Sequence, residues 1–248
     1  MSTVSRHSGI NVFNDGIKYP FGTKQRALTR YIEYLAEQGV EHVSYIGPAF
    51  AVGGYAIAYA CEQVGLPYKI YLVGTKHASQ YKLLKHKRDI VLIKGNMRDA
   101  YVQEEAYIAK LNLRNERIPL GADNDLYIDL LTQSLAEDEE LQELVNRSDH
   151  IWVAVGSGVI LSVLMNIFPN KRFDAVSISN KYPAWIDRHP RVTHHRSRLR
   201  PTQTANAPYP TVGTYDAKVW EIAKDKAYNS DMIFNIAKGD SPLEPLAS

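Results

Sequence analysis

Short continuous apolar runs alternate along this 248-residue chain with longer stretches in which apolar residues recur every three or four positions. The short runs predict strands at residues 42–46, 68–73, 89–94, 151–155 and 173–178. The helical spacing predicts helices at residues 55–64, 79–87, 98–111, 126–145 and 159–167, and segments 216–225 and 232–236 close the pattern. This repeated order predicts an α/β fold with parallel sheets covered by helices.

Individual segments add detail to this prediction. Residues 151–155 are almost wholly apolar, as expected of a central parallel strand that is buried on both faces. Residues 126–145 are predicted to form the longest helix, with the acidic run from Glu137 to Glu140 on its solvent face. Residues 112–124 are predicted to be a linker. Residues 180–213 show no period, which indicates a functional loop or a disordered segment.

The composition is that of an ordinary globular protein, with 45% hydrophobic residues. The 29 Lys and Arg against 27 Asp and Glu give a net charge of +2, which excludes nucleic-acid binding by bulk attraction alone. Cys61 is the only cysteine and cannot form an internal disulfide. The first residues lack the apolar run of a signal peptide, and no apolar stretch is long enough to cross a bilayer. These features favour a cytoplasmic protein with no membrane partner.

Two segments carry candidate chemistry, Gly22-Thr23-Lys24 and Gly156-Ser157-Gly158. A lysine after a glycine turn can form an imine with an aldehyde. A glycine-rich loop that leads from a strand into a helix can hold a phosphate through its N–H groups. Each signal is weak alone, since lysines are usually solvated and such turns are common. Together they suggest a site for pyridoxal 5′-phosphate (PLP).

The order of four segments strengthens this interpretation. Residues 20–28, which read Pro-Phe-Gly-Thr-Lys-Gln-Arg-Ala-Leu, resemble the Gly-Asn-Lys-x-Arg-Lys-Leu segment of the aminocyclopropane-carboxylate deaminase and D-cysteine desulfhydrase family, including Arg26 after the lysine. Residues 45–60 resemble the strand, cofactor-ring loop and helix of its smaller domain. Residues 155–161 resemble its phosphate loop, and residues 213–218 resemble its Tyr-x-Gly-Lys segment. The resemblance covers roughly residues 18–237 and extends to the fold-type-II PLP enzymes, typified by the tryptophan synthase β subunit.

The resemblance implies a two-domain architecture and a set of site residues. Residues 1–24 and 118–248 would form the large cofactor domain, and residues 25–117 the smaller α/β domain. Lys24 would carry the cofactor as an aldimine, and Tyr215 would be a second catalytic residue or a contact for the substrate carboxylate. The implied cofactor-binding residues are Lys24, Val52, Gly53, Gly54, Gly156, Ser157, Gly158 and Val159. A homodimer is also expected.

The ring loop departs from the family pattern. Members usually have Ser-Asn-His or Gly-Asn-Thr there, and the asparagine binds the 3-hydroxyl of the pyridine ring. Here Ala51 and Val52 stand in the loop, and neither side chain can donate a hydrogen bond or transfer a proton. Two interpretations stay open: other contacts orient the ring for unusual chemistry, or the fold persists without standard catalysis. The chain is also shorter than typical relatives.

The expected function is that of a PLP-dependent lyase, deaminase or decarboxylase that acts on an amino acid or an amino-acid adduct through Lys24. Residues 187–200 contain five arginines and three histidines with only one acid, Asp187. A solvated loop is the ordinary interpretation, and a surface that binds a phosphorylated substrate or DNA is the alternative. Small virus-encoded PLP enzymes process amino-acid groups on DNA bases, so a DNA-linked substrate is a second hypothesis. No metal site is expected, and a non-catalytic binding protein is a third hypothesis.

Overall fold

The computed structural model describes residues 2–19, 21–74, 89–179 and 182–238. The described residues form two compact units. We call residues 24–130 the lysine unit, and residues 2–23 together with 131–238 the glycine-loop unit. The domain boundaries implied by the resemblance stay a prediction, and the predicted helix at residues 79–87 lies outside the described residues.

The lysine unit contains a parallel sheet of four strands in the order β5-β4-β3-β6. Its strands are β3 (His42–Pro48), β4 (Tyr68–Val73), β5 (Ile90–Ile93) and β6 (Asn115–Ile118). Its helices are α1 (Gln25–Glu37), α2 (Gly53–Val64) and α3 (Met97–Leu111). Helix α4 (Asp125–Ala136) contains the boundary between the two units. The prediction of a parallel sheet covered by helices is confirmed.

Alternate side chains of this sheet pack against different helices. Ile46 and Tyr71 form a buried cluster with Ala100 of α3. A Cβ at Gly54 of α2 would lie 2.9 Å from Leu72 Cδ2, so that helix approaches the sheet closely through its glycine. Because successive strand residues point to opposite faces, α2 and α3 cover opposite sides. Helix α2 ends as predicted at Gly65, which has the left-handed φ of +77°.

The glycine-loop unit contains a sheet of six strands in the order β1-β2-β10-β7-β8-β9. The strands are β1 (Val4–His7), β2 (Ile10–Asn14), β7 (His150–Val155), β8 (Arg172–Ser177), β9 (Val192–Arg196) and β10 (Met232–Asn235). All pairs are parallel except the β1–β2 hairpin, which the apolar pattern did not predict. Strand β7 lies between β10 and β8 and is buried after its first residue, so the prediction of a central strand is confirmed.

The predicted single helix at 126–145 is wrong, because α4 ends at Ala136 and α5 (Glu139–Asn146) begins a new helix. Asp138 separates them: its carboxylate accepts the N–H of Leu141 at 3.2 Å and caps α5. Asp138 is buried and also binds the amine of Lys18 at 3.0 Å, so it does not lie on a solvent face. Among the described helices the longest is α3, with 15 residues.

The two segments predicted to lack structure both contain strands. The predicted linker at 112–124 includes β6 and a 3-10 helix at Leu120–Ala122. The predicted loop at 180–213 includes a 3-10 helix at Ala184–Arg188 and the edge strand β9. Strand β9 was missed because its sequence, Val-Thr-His-His-Arg, is polar, as an edge strand permits. The glycine-loop unit is completed by helices α6 (Val159–Ile167) and α7 (Ala217–Lys226). No helix in the described ranges has the length and apolar character needed to span a membrane.

Candidate functional site

A glycine turn precedes Lys24 and contacts Ile236, the residue that follows β10. Gly22 has the left-handed φ of +77°, and a Cβ there would lie 2.2 Å from the carbonyl oxygen of Ile236. The N–H of Thr23 donates to the same oxygen at 2.9 Å, and its hydroxyl donates to that oxygen at 3.3 Å. Both the left-handed conformation and this close approach require glycine at position 22. The Gly-Thr-Lys segment is therefore held by backbone packing.

The amine of Lys24 lies in a partly buried site within the lysine unit. Its Nζ donates a hydrogen bond to the carbonyl oxygen of Gly121 at 2.7 Å. Burial lowers the pKa of Lys24 from its ordinary value to about 8, and the nearby carboxylate of Asp123 partly offsets this by raising it. Roughly a tenth of these amines are therefore neutral at pH 7, far more than for an exposed lysine. A neutral amine is the form that attacks an aldehyde.

The turn that binds this amine has an unusual backbone. Gly121 has a φ of +85°, and the buried Ala122 has a φ of +57°. A non-glycine residue in the left-handed region is uncommon and costs conformational energy. This turn presents the Gly121 carbonyl to Lys24. This turn was not predicted, because it lies in the segment predicted to be a linker, where the Gly121-Ala122 dipeptide after Pro119 is a weak turn signal.

The structure brings the predicted ring loop next to Lys24. A Cβ at Gly53, in the first turn of α2, would lie 4.0 Å from Lys24 Cδ and 3.0 Å from the hydroxyl oxygen of Tyr45. Val52 precedes the helix as its N-cap residue and is partly buried. Gly54 faces Leu72 of the sheet, which gives this glycine a packing role. Of the predicted ring-loop residues, the geometry thus relates Gly53 to Lys24 most directly.

The glycine loop lies between β7 and α6. A Cβ at Gly156 would lie 2.8 Å from the hydroxyl oxygen of Tyr215, so two candidates from distant segments meet here. Gly158 caps α6 with a φ of +89°, and a Cβ there would lie 2.9 Å from Pro183 Cγ. Val159 is the first residue of the helix and is buried. The first N–H groups of a helix lack intrahelical partners, and together with the helix dipole they favour an anion.

Asp216 holds the segment against which the turn before Lys24 packs, a contact that the sequence does not predict. Its buried carboxylate accepts the N–H groups of Ile236 and Ala237, each at 3.3 Å. Burial raises the pKa of Asp216 to about 8, and its bonds to backbone N–H groups partly oppose this rise. Ile236 is thus held through its N–H by Asp216 and through its carbonyl by Thr23.

Lys218 is a second buried lysine with a different role. Its Nζ donates to the carbonyl oxygens of Arg200 at 2.9 Å, Pro201 at 3.1 Å and Ile178 at 3.4 Å. Burial lowers its pKa to about 8, as for Lys24. The three carbonyls use all three donors of the ammonium group. Lys218 therefore ties the segment after β9 to the end of β8.

The basic segment 188–200 is only partly a free surface. The guanidinium of Arg191 donates to the carbonyls of Phe168 at 3.1 Å, Met165 at 3.3 Å and Lys171 at 3.4 Å, which caps the end of α6. His194 and His195 bond to carboxylates, Asp187 at 2.5 Å and Asp174 at 2.8 Å. A groove of about 650 Å³ lies between this segment and α7. Its charged lining residues are Arg196, Arg198, Glu221, Lys224, Asp225 and Lys226.

Solved structures share this fold at low sequence identity. An ACC deaminase homologue superposes with a TM-score of 0.74 and 15% identity, covering 94% of this chain and 85% of its own. Diaminopropionate ammonia lyase from Escherichia coli, in complex with an aminoacrylate-PLP azomethine reaction intermediate, superposes with a TM-score of 0.63 and 13% identity. This match covers 94% of this chain and 80% of the lyase chain. The chain has the fold of the fold-type-II PLP enzymes. The O-acetylserine-dependent cystathionine β-synthase from Helicobacter pylori superposes with a TM-score of 0.62 and 10% identity, covering 94% of this chain and 87% of its own. No sequence-family model and no curated protein sequence matches the chain.

Taken by itself, each unit carries residues that suit one chemical group of PLP. Lys24 offers an amine of lowered pKa for an aldehyde. The loop from Gly156 to Gly158 offers backbone N–H groups for a phosphate, with the Tyr215 hydroxyl at the position where a Gly156 side chain would stand. Ala51 and Val52 carry no polar side-chain group that could contact a pyridine ring.

Proposed function

We propose that this chain is a PLP-dependent enzyme that acts on an amino acid or an amino-acid adduct. The observation that carries the proposal is the amine of Lys24, which is partly buried, has a pKa of about 8 and lies beside the ring loop. A lysine in this state is rare on protein surfaces, and it is the state that covalent catalysis by an amine requires. The shared fold supports the same assignment.

Each candidate residue has a defined part in this proposal. Lys24 holds the cofactor aldehyde. The phosphate binds to the N–H groups of the loop, those of Gly156, Ser157, Gly158 and Val159, and the dipole of α6 favours it. The hydroxyl of Tyr215 donates a hydrogen bond to the phosphate or to a substrate carboxylate. Val52 and Gly53 give the pyridine ring an apolar surface next to Lys24, and Gly54 supports them by packing on the sheet.

PLP, when bound, supplies an aldehyde for covalent attachment and a ring that accepts the electron pair of a bond broken at the substrate. Lys24 carries out the proton transfer at this centre. Its neutral amine can take up a proton and return it, because a pKa near 8 makes both forms available at physiological pH. The Gly121 carbonyl holds this amine by a hydrogen bond, which limits its positions.

The reaction classes that we propose are those of a lyase, a deaminase or a decarboxylase, with a small amino-acid-like substrate. The structural neighbours include an ammonia lyase and a deaminase homologue, so elimination of ammonia is the first reaction to test. We also propose that the protein is cytoplasmic and forms a homodimer.

The test of this function is the absorbance spectrum of the purified protein during titration with PLP. An enzyme of this kind should turn yellow, and borohydride should discharge the colour. The variant Lys24→Ala should bind PLP more weakly and give no colour that borohydride discharges. A wild-type protein that stays colourless with excess PLP would instead support the third hypothesis, a binding protein that retains the fold, which the apolar Ala51 and Val52 motivate.

A DNA-linked substrate is the second candidate function. The observation that favours it is the groove beside residues 194–199, because lysines of α7 add to the arginines there. Arg198 and Arg200 are exposed, and Arg196 reaches the hydroxyl of Tyr182 at 2.5 Å. Glu221 and Asp225 in the same groove reduce its positive charge, so we rank this candidate below a free amino acid.

A further inference from the structure

The hydroxyl of Tyr45 and the side chain of Lys24 both lie close to one position in the lysine unit. That position is the place of a Cβ on Gly53, 3.0 Å from the phenol oxygen and 4.0 Å from Lys24 Cδ. Tyr45 is 2% exposed and lies within β3, where it is paired in register with Ile70 of β4 and Ile118 of β6. The middle strands of a sheet therefore hold the phenol close to a position that the Lys24 side chain also approaches.

Glycines leave the space that the phenol ring occupies. A Cβ at Gly47 would lie 2.4 Å from the phenol oxygen, and a Cβ at Gly54 would lie 3.5 Å from ring atom Cε1. With Gly53, three glycines surround one tyrosine side chain. A side chain at Gly47 would collide with the hydroxyl, so glycine there preserves the position of Tyr45.

The neighbouring loop offers no side chain that could transfer a proton. Phe50, Ala51 and Val52 carry no titratable group. Yet attachment of an amine to an aldehyde requires proton transfer: the nitrogen loses two protons as the C=N bond forms, and the aldehyde oxygen gains two and leaves as water. Release by water is the reverse. An acid near the amine accelerates both directions.

We propose that Tyr45 is the proton donor and acceptor for attachment and release of aldehydes at Lys24. This inference rests on the proposed function, because it takes Lys24 as the residue that binds PLP. The phenol gives a proton to the departing oxygen and recovers one from the nitrogen, so no other reactant is needed. Burial raises the pKa of Tyr45, so at neutral pH the phenol carries the proton that it gives to the oxygen.

The test measures the rate at which PLP-free protein takes up PLP, followed by absorbance after rapid mixing. The variant Tyr45→Phe removes only the hydroxyl, and we expect uptake to slow at least tenfold. Discharge of the bound cofactor by hydroxylamine should slow similarly. The final amount of pyridoxyl on Lys24 after borohydride should stay unchanged, since a catalyst alters rates and not the equilibrium. Tyr71→Phe is the matched control, because Tyr71 is buried on the opposite face of the same sheet.

A second variant separates acid catalysis from packing. Tyr45→Ala should also be slow, and added phenol should restore its rate, whereas toluene should not. Equal rescue by toluene, or a Tyr45→Phe protein that takes up PLP at the wild-type rate, would overturn the role of Tyr45 and leave the proposed function standing. A wild-type protein that forms no pyridoxyl adduct on Lys24 would overturn the proposed function itself.

Discussion

The Nζ of Lys24 lies 2.7 Å from the carbonyl oxygen of Gly121, in a turn where Gly121 and Ala122 both have left-handed backbones. The turn places a hydrogen-bond acceptor against the amine, while burial of the amine lowers its pKa to about 8. The amine is thus held in place but stays available in its neutral form. The left-handed backbone of Ala122 costs conformational energy, which indicates that the position of this carbonyl matters.

The lowered pKa of Lys24 predicts the pH dependence of PLP uptake. Because only the neutral amine reacts, the rate should rise tenfold per pH unit below about pH 8 and level off above it. An exposed lysine in the same protein, modified by a general amine reagent, should become steadily more reactive up to about pH 10. A midpoint for Lys24 as high as that of exposed lysines would contradict the burial that the structure shows.

Gly156→Ala should weaken PLP binding through Tyr215. The added methyl group would lie 2.8 Å from the Tyr215 hydroxyl and displace it. We expect a loss of roughly tenfold in PLP affinity, the size of one hydrogen bond to a charged group. In the Tyr215→Phe background the same substitution should cost less, because the colliding atom is gone. Position 158 is less suitable for this test, since its φ of +89° and its contact with Pro183 would make any side chain destabilise the fold.

Lys218→Met should destabilise the protein more than Lys24→Met. Loss of the Lys218 amine leaves three carbonyl oxygens without their donor, which we expect to cost about 2–4 kcal/mol. Both amines are costly to charge, but removal of Lys24 leaves only one carbonyl oxygen without its donor, so its cost should be smaller. Chemical denaturation of both variants checks this. Equal losses of unfolding free energy would mean that the two lysines have similar structural roles.

Asp216 should make the protein less stable as the pH rises from about 4 to 8. In the folded state its pKa is about 8, and in the unfolded chain it is near 3.8, so the folded state binds more protons throughout this window. Stability therefore falls with rising pH, and Asp216→Asn should remove that fall, with a gain on the order of a few kcal/mol at pH 8. Unfolding free energies measured at about pH 4 and about pH 8 test this prediction, with the exposed Glu221→Gln as the control. A parallel decline in both variants would contradict the raised pKa.

The parts of the fold that depend on apolar pattern were predictable from the sequence. Strand β7 and helix α2 stand out because burial on both faces, or packing on a sheet, demands apolar residues. Strand β9 and the turn at Gly121 do not stand out in the sequence, because an edge strand can be polar and a turn is set by backbone angles. Lys24 and the loop at Gly156 could be proposed from local motifs. The roles of Tyr45 and Asp216 depend on contacts between distant segments, which a single sequence does not reveal.

The basic segment predicts a clear result if DNA is the partner. Binding should weaken steeply with salt, and replacing Arg196, Arg198 and Arg200 together should reduce the salt dependence by up to about three phosphate contacts. Replacement of Arg30, Arg98 and Lys110, which are exposed in the lysine unit, is the matched control. Gel-shift titrations at two salt concentrations measure both. No binding at low salt, or equal effects of the two triple variants, would leave a free amino acid as the substrate class.

The most direct test of the central claim is to locate the pyridoxyl group by peptide mass spectrometry after the PLP-treated protein has been reduced with borohydride. We expect the label on Lys24, at one group per chain. Lys218 is the informative competitor, because burial lowers its pKa to the same value while three carbonyls occupy its amine. A label on Lys218, or labels scattered over surface lysines with none on Lys24, would contradict the assignment.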